Sequence, residues 1–208
     1  MKVAIIASTN GSVLKRCLLD PYVKSKVDVV ISDRYCGAIE VAKSESIKTE
    51  LFFTEDAEEF SNLITKKYAK NDYLLISFYT KLFKGKIIET FAGRLINFHP
   101  SILPSHKGKR GFESSYEARD EYLGSTVHLI DEYMDTGRII IQSKFKADYK
   151  LEAKDLRHKI FLQQCKMLKQ VIKWYDQDRI VINKKVKILN STSISKEFSP
   201  DIEEDLYG

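Results

Sequence analysis

Short continuous apolar runs alternate along this chain with amphipathic stretches, the pattern of strands buried on both faces and of helices that cover them. Residues 2–7 form the first run, and Ser8-Thr9-Asn10-Gly11-Ser12 turns it toward a helix near Val13 and Leu14, with Ser12 the N-cap if this is an ordinary βα turn. Residues 27–31 predict a second strand, 38–46 a short helix and Phe52-Phe53 a brief third extended piece. Phe60, Leu63, Ile64 and Tyr68 then recur at helical spacing within 55–70, ahead of a buried strand over 73–76. Arg94-Leu95-Ile96 and residues 125–130 read as strands, with a further extended segment running through Gln142 to about Lys146. Residues 150–176 place Leu156, Ile160, Phe161, Cys165, Leu168, Val171, Ile172 and Tyr175 on one helical face. A hairpin follows around Asn183-Lys184-Lys185.

Strands alternating with helices argue an α/β sandwich built on a largely parallel sheet. The 208 residues, 43% of them hydrophobic, are enough for one sizeable core, so residues 1–190 are expected to form a single domain. Residues 191–208 are polar and read as a loosely ordered tail. No apolar run approaches the ~18 residues that suggest a membrane span. Cys17, Cys36 and Cys165 are odd in number, widely spaced and without a secretory signal, as expected of reduced thiols in a cytoplasmic protein. The net charge of +5 is spread over many lysines. It favours anionic small molecules and is too diffuse to argue for nucleic acid.

The candidate chemistry lies between Gly93 and Gln142. Asn97 and His99 are expected just past the end of one strand, ahead of a loop stiffened by Pro100 and Pro104. The strand at 125–130 runs into Asp131-Glu132-Tyr133-Met134-Asp135, closed by Thr136-Gly137. Carboxyl ends of strands are where open α/β sheets bind ligands, so Asn97, His99 and Asp135 read as one site. An amide and an imidazole suit an oxyanion forming on a carbonyl carbon, and a carboxylate could accept a proton from an attacking amine. A carboxylate near His99 is expected to favour the imidazolium. No Ser or Cys lies in a nucleophile-elbow context, which points to direct transfer. Taken singly, His99 reads equally as a loop histidine bonded to backbone, and Asp135 as a turn residue. A metal site from His99, His106, His128 and the acidic loop is a third reading, without an HxxxH or CxxC pair behind it. Asn10-Gly11-Ser12 suits an anion at a helix start or an ordinary βα turn.

Asn97-Phe98-His99-Pro100-Ser101-Ile102-Leu103-Pro104 resembles the NxHPSLLP motif of the folate-dependent formyltransferases. Gly124-Ser125-Thr126-Val127-His128 and Asp135-Thr136-Gly137-Arg138-Ile139-Ile140 resemble that family's second signature. The likeness runs through Trp174 and is nearest to the branch that uses glycinamide ribonucleotide in purine synthesis. It implies a three-layer α/β sandwich with a mostly parallel, Rossmann-like sheet, an antiparallel strand pair, and a C-terminal helix and hairpin. It also implies that Asn97, His99 and Asp135 are catalytic, with 10-formyltetrahydrofolate as co-substrate and no metal. Asn10, Gly11 and Ser12 match the substrate's phosphate loop. Tyr79, Thr80, Lys81, Leu82 and Phe83, with Ile130, Asp131, Glu132 and Met134, match the folate-binding segments. The implied partners are two small molecules, a folate and a phosphorylated amine, with neither nucleic acid nor membrane, for a monomer or homodimer. The chain departs from the family at Thr9, Val13, Thr80 and Lys81, and on the acceptor side at Arg110, Phe112 and Gln164. An amino-sugar nucleotide is the alternative acceptor, and an inactive folate- or nucleotide-binding relative the alternative of another class.

Overall fold

The computed structural model describes residues 1–203, which divide into two compact units. The first comprises residues 1–97 with 130–132, and the second residues 98–129 with Tyr133 onward.

The first unit contains β1 (Lys2–Ala7), α1 (Ser12–Cys17), α2 (Pro21–Lys26), β2 (Val27–Ser32), α3 (Gly37–Ser44), β3 (Lys48–Leu51), α4 (Ala57–Tyr68), β4 (Tyr73–Phe78), α5 (Ile87–Thr90) and the start of β5 (Leu95–His99). Its strands run parallel in the order β3-β2-β1-β4-β5, with Ser77 paired to Asn97 in the last register. Ala4, Ile6, Val29, Ile31 and Leu75 meet Phe60 and Ile64 of α4 in one core. Val3, Ile5, Val30 and Ile76 are equally inaccessible, so these strands are covered on both faces, as their unbroken apolar runs require.

Three expectations shift here. β5 extends to His99, so Asn97 and His99 lie inside the strand's C-terminal end rather than beyond it. The third extended piece is Lys48–Leu51, just ahead of Phe52-Phe53. It is a half-buried edge strand that pairs only with β2, so it needs no apolar run. Gly11, not Ser12, is the N-cap of α1, with φ +69° in the left-handed region that glycine tolerates. A Cβ there would lie 2.6 Å from the Ala38 Cα. The periodicity did not reveal α2, although its start is marked: Pro21 occupies the first turn, and Asp20 accepts from the Tyr22 and Val23 amides.

The second unit contains α6 (Gly111–Glu117), β6 (Tyr122–Leu129), β7 (Ile139–Lys146), α7 (Ala153–Asp176), the hairpin β8 (Ile180–Ile182) and β9 (Val186–Ile188), and β10 (Phe198–Ser199). β6 starts three residues earlier than expected and ends before Ile130. It pairs antiparallel with β7, and β10 pairs with the other edge of β7. The expected loose tail is tied down through Glu203. Phe198 is buried, Asp201 accepts from Thr192 Oγ1 and the Ile194 and Ser195 amides, and Glu203 pairs with Lys173 and Arg179. Residues 204–208 of that expected tail lie outside the described residues. No described helix is long and apolar enough to cross a membrane, and Cys17, Cys36 and Cys165 are in no disulfide.

Candidate active site

Asn97 and His99 are two residues apart on β5, so strand alternation directs both side chains to one face. Asn97 is half-buried and His99 is only 3% exposed. Two hydroxyls of β6 hold the backbone that follows. Ser125 Oγ donates to the His99 carbonyl at 2.7 Å, and Thr126 Oγ1 to the Ser101 carbonyl at 2.8 Å.

Asp135 lies in the loop between β6 and β7, with φ +54°, a conformation that Asp and Asn tolerate better than most residues. Its Oδ2 accepts the Gly108 amide at 2.7 Å and lies 3.4 Å from His99 Nδ1. Its Oδ1 lies 3.4 Å from His128 Nε2. The other nitrogen of each ring faces a backbone carbonyl at 2.8 Å, His99 Nε2 that of His106 and His128 Nδ1 that of Leu129. A carbonyl only accepts, so a neutral His99 serves either His106 or Asp135 with its one proton, whereas the imidazolium serves both.

Burial decides the resting charge. It pushes the His99 pKa below the ordinary value and outweighs the His106 carbonyl and Asp135, which act the other way. The carboxylate does favour the imidazolium, as expected of an opposite charge, but burial outweighs it. For Asp135, burial pushes the pKa upward, but His128, the Gly108 N–H and the nearby rings outweigh it and hold the carboxyl below its ordinary range. At neutral pH the pair is an anionic carboxylate beside a neutral ring. It gains hydrogen bonds by taking up one proton.

His128, which faces Asp135, was given no role of its own in the sequence beyond the alternative metal site. Its position seven residues before Asp135, in the second signature, was the available signal. His106, the other histidine of that reading, pairs with Asp120 at 2.8 Å. Among the described residues, no group of three or more His, Cys, Asp or Glu side chains could hold a metal ion. Gly111 was missed as well: a Cβ there would lie 2.7 Å from His99 Nε2, so the ring needs a glycine beside it.

The remaining site candidates are placed as follows. In the 79–83 segment, Tyr79 and Phe83 are buried in the core of the first unit, leaving Thr80 and Leu82 exposed. Lys81 Nζ pairs with buried Asp33 at 3.0 Å and donates to the Glu55 carbonyl. Burial pushes the Asp33 carboxyl up, but Arg34 and Lys81 hold it below its ordinary range. Ile130 packs on the same core, Asp131 is half-buried and Glu132 is exposed. Met134 is exposed in the second unit. Asn10 and Ser12 are exposed around buried Gly11, and no side chain caps the first turn of α1. Val13 is buried and, with Ala7, Thr9, Gly11, Ser12 and Phe78, lines a small hollow. Arg110 makes an exposed pair with Glu117, and Phe112 belongs to the core with Leu123, Leu156 and Ile160. Gln164, half-buried on α7, places its amide nitrogen 3.0 Å from Ser125 Oγ.

The chain is similar to known proteins over most of its length. The phosphoribosylglycinamide formyltransferase of Haemophilus influenzae is 26% identical over 207 residues, covering 94% of this chain and 96% of its own. The Bacillus subtilis enzyme of that name is 28% identical over 181 residues, covering 83% of this chain and 93% of its own. The solved structure of glycinamide ribonucleotide transformylase 1 from Symbiobacterium toebii, at 25% identity, matches 91% of this chain and 94% of that one with a TM-score of 0.82. The profile of the formyl transferase family matches residues 1–172. With that profile covering β1 to β7, both signatures and most of α7, the chain belongs to the formyl transferase family.

Proposed function

We propose that this protein transfers a formyl group from 10-formyltetrahydrofolate to the amine of glycinamide ribonucleotide, in de novo purine synthesis in the cytoplasm. The observation that carries the reading is the buried His99–Asp135 pair, an anion beside a neutral ring that gains hydrogen bonds on protonation. Asn97 and His99 supply N–H donors for the oxyanion as the amine attacks the formyl carbon. For His99 to donate from Nε2, the substrate oxygen must take the place of the His106 carbonyl. Asp135, with His99, accepts the proton that the attacking nitrogen sheds. Collapse of the tetrahedral centre breaks its bond to N10 of the folate, and the proton passes to that nitrogen. The amine's phosphate is assigned to the Asn10–Gly11–Ser12 turn, and the folate to residues 79–83 and 130–132 with Met134. These roles are supported by the motif positions and by the uncapped first turn of α1.

The glycinamide ribonucleotide assignment draws on what the named relatives act on, together with the near-complete coverage of their chains. One observation favours a different acceptor: Gln164 stands where that branch of the family carries a carboxylate, and its amide is engaged with Ser125. A panel assay separates the two. The protein is mixed with 10-formyltetrahydrofolate and either glycinamide ribonucleotide or one of several amino-sugar nucleotides, and deformylation of the folate is followed by absorbance. Turnover with glycinamide ribonucleotide is expected. Turnover with a sugar nucleotide alone moves the acceptor, and folate binding without turnover of any amine indicates a binding protein.

A further inference from the structure

We propose that Gln164 and Gln142 are positioning residues that hold His99 in place, each by orienting one hydroxyl of β6. Ser125 is fully buried, and its hydroxyl has one proton, which is committed to the His99 carbonyl at 2.7 Å. What Ser125 Oγ can still do is accept, and Gln164 Nε2 lies 3.0 Å away to donate. Thr126 repeats the pattern. Its proton goes to the Ser101 carbonyl, and its oxygen accepts from the Leu103 amide and from Gln142 Nε2, both at 3.0 Å. Gln142 Nε2 also donates to the Leu103 carbonyl at 2.7 Å.

The two relays grip carbonyls on either side of Pro100, just where β5 delivers the His99 ring to Asp135. The proton inventory dictates the amide orientations, because a glutamine oxygen at either place would face lone pairs. It also gives a chemical reason for glutamine at 164. An ionised carboxylate there could not donate to Ser125, and only its protonated form could. Gln163 supports the same strand, accepting from Ser143 Oγ, which in turn accepts the Ser125 amide. Gln164 thus acts through the backbone of the catalytic histidine rather than on the acceptor amine.

The rate readout rests on the formyl-transfer reading, but the ring readout does not. The experiment follows the ring titration of His99 in histidine-labelled protein by NMR, with a His99→Gln variant to assign the signal among the four histidines. Formyl transfer is measured on the same samples. Gln164→Met and Ser125→Ala should each shift the His99 midpoint and lower kcat roughly ten- to a hundredfold, the scale of a small misplacement, with KM for both substrates nearly unchanged. The double variant should be no worse than Ser125→Ala alone, because the amide acts only through the hydroxyl. Gln164→Glu should match Gln164→Met at neutral pH and approach the wild type as acid protonates the new carboxyl. Gln142→Leu tests the second relay and stands in if Ser125→Ala fails to fold. Losses that add in the double variant, or a rise confined to the acceptor KM with an unmoved His99 titration, would overturn the proposal. If the wild type transfers formyl to no amine, the function reading fails, while the ring titration still decides this one.

Discussion

His99 Nδ1 lies 3.4 Å from Asp135 Oδ2, yet burial rather than the carboxylate sets the ring's charge. A histidine whose folded pKa is depressed below its ordinary 6.5 binds its proton more readily when unfolded, so acid works against the fold. Its share of stability is complete above 6.5 and declines as the pH falls from there toward the folded value. Asp135, also depressed, adds a second decline as the pH falls below its ordinary 3.8. The urea midpoint of the wild type should therefore drop between pH 7 and 5, and that slope should flatten in His99→Gln. Equal slopes in the two proteins would remove His99 as the cause.

Asp135→Asn keeps the shape of the side chain and a residue type that accepts φ +54°, while removing the proton acceptor. Folate binding should survive, kcat should fall by about two orders of magnitude or more, and the pH profile should lose its acidic limb. Asp131→Asn and Glu132→Gln should stay close to wild type. Comparable losses at Asp131 and Asp135 would mean that loop charge, and not a placed base, carries the effect. Asp135→Ala should cost a further ~1 kcal/mol in stability over the Asn variant, since alanine is a poorer fit to the left-handed region.

Gly111→Ala tests whether the ring position matters. The new methyl would lie 2.7 Å from His99 Nε2, so the ring or α6 must move. Overpacking of this kind costs about 1–3 kcal/mol. Turnover should fall by more than that loss of folded protein explains, and a thermal melt beside a kinetic assay reads both. A stability loss with unchanged kcat would show that the ring tolerates displacement.

The phosphate assignment is tested at Ser12, which is exposed in the first turn of α1. A carboxylate there is compatible with a helix start but repels a bound phosphate. Ser12→Asp should raise KM for the phosphorylated amine about tenfold and leave KM for the folate unchanged. Replacing Gly11 would not give so clean an answer, because its positive φ and its closeness to Ala38 tie it to the fold.

The central parallel strands β1, β2 and β4 were legible because their apolar runs are nearly continuous, as burial on both faces favours. β3 was misplaced because an edge strand with one neighbour carries Lys, Thr and Glu without penalty. The contacts of residues 191–203 were not legible, because a single buried Phe198 and the turn around Asp201 leave no periodic trace. At the site, the motif residues could be read from residue type and order. The charge of His99 could not, since it depends on how completely the folded chain excludes water from one ring. Gly108 was invisible for a related reason: it contributes a backbone N–H, which every residue except proline also carries.

The most direct measurement of the central claim is formyl transfer by the wild type and by His99→Ala, with 10-formyltetrahydrofolate and glycinamide ribonucleotide, each checked for folding and folate binding. Loss of an oxyanion donor typically costs 10²- to 10³-fold in rate. The account predicts turnover by the wild type and a fall of about that size in the variant, with folate still bound. A wild type that binds folate without turning over, or a folded His99→Ala that turns over normally, would contradict it.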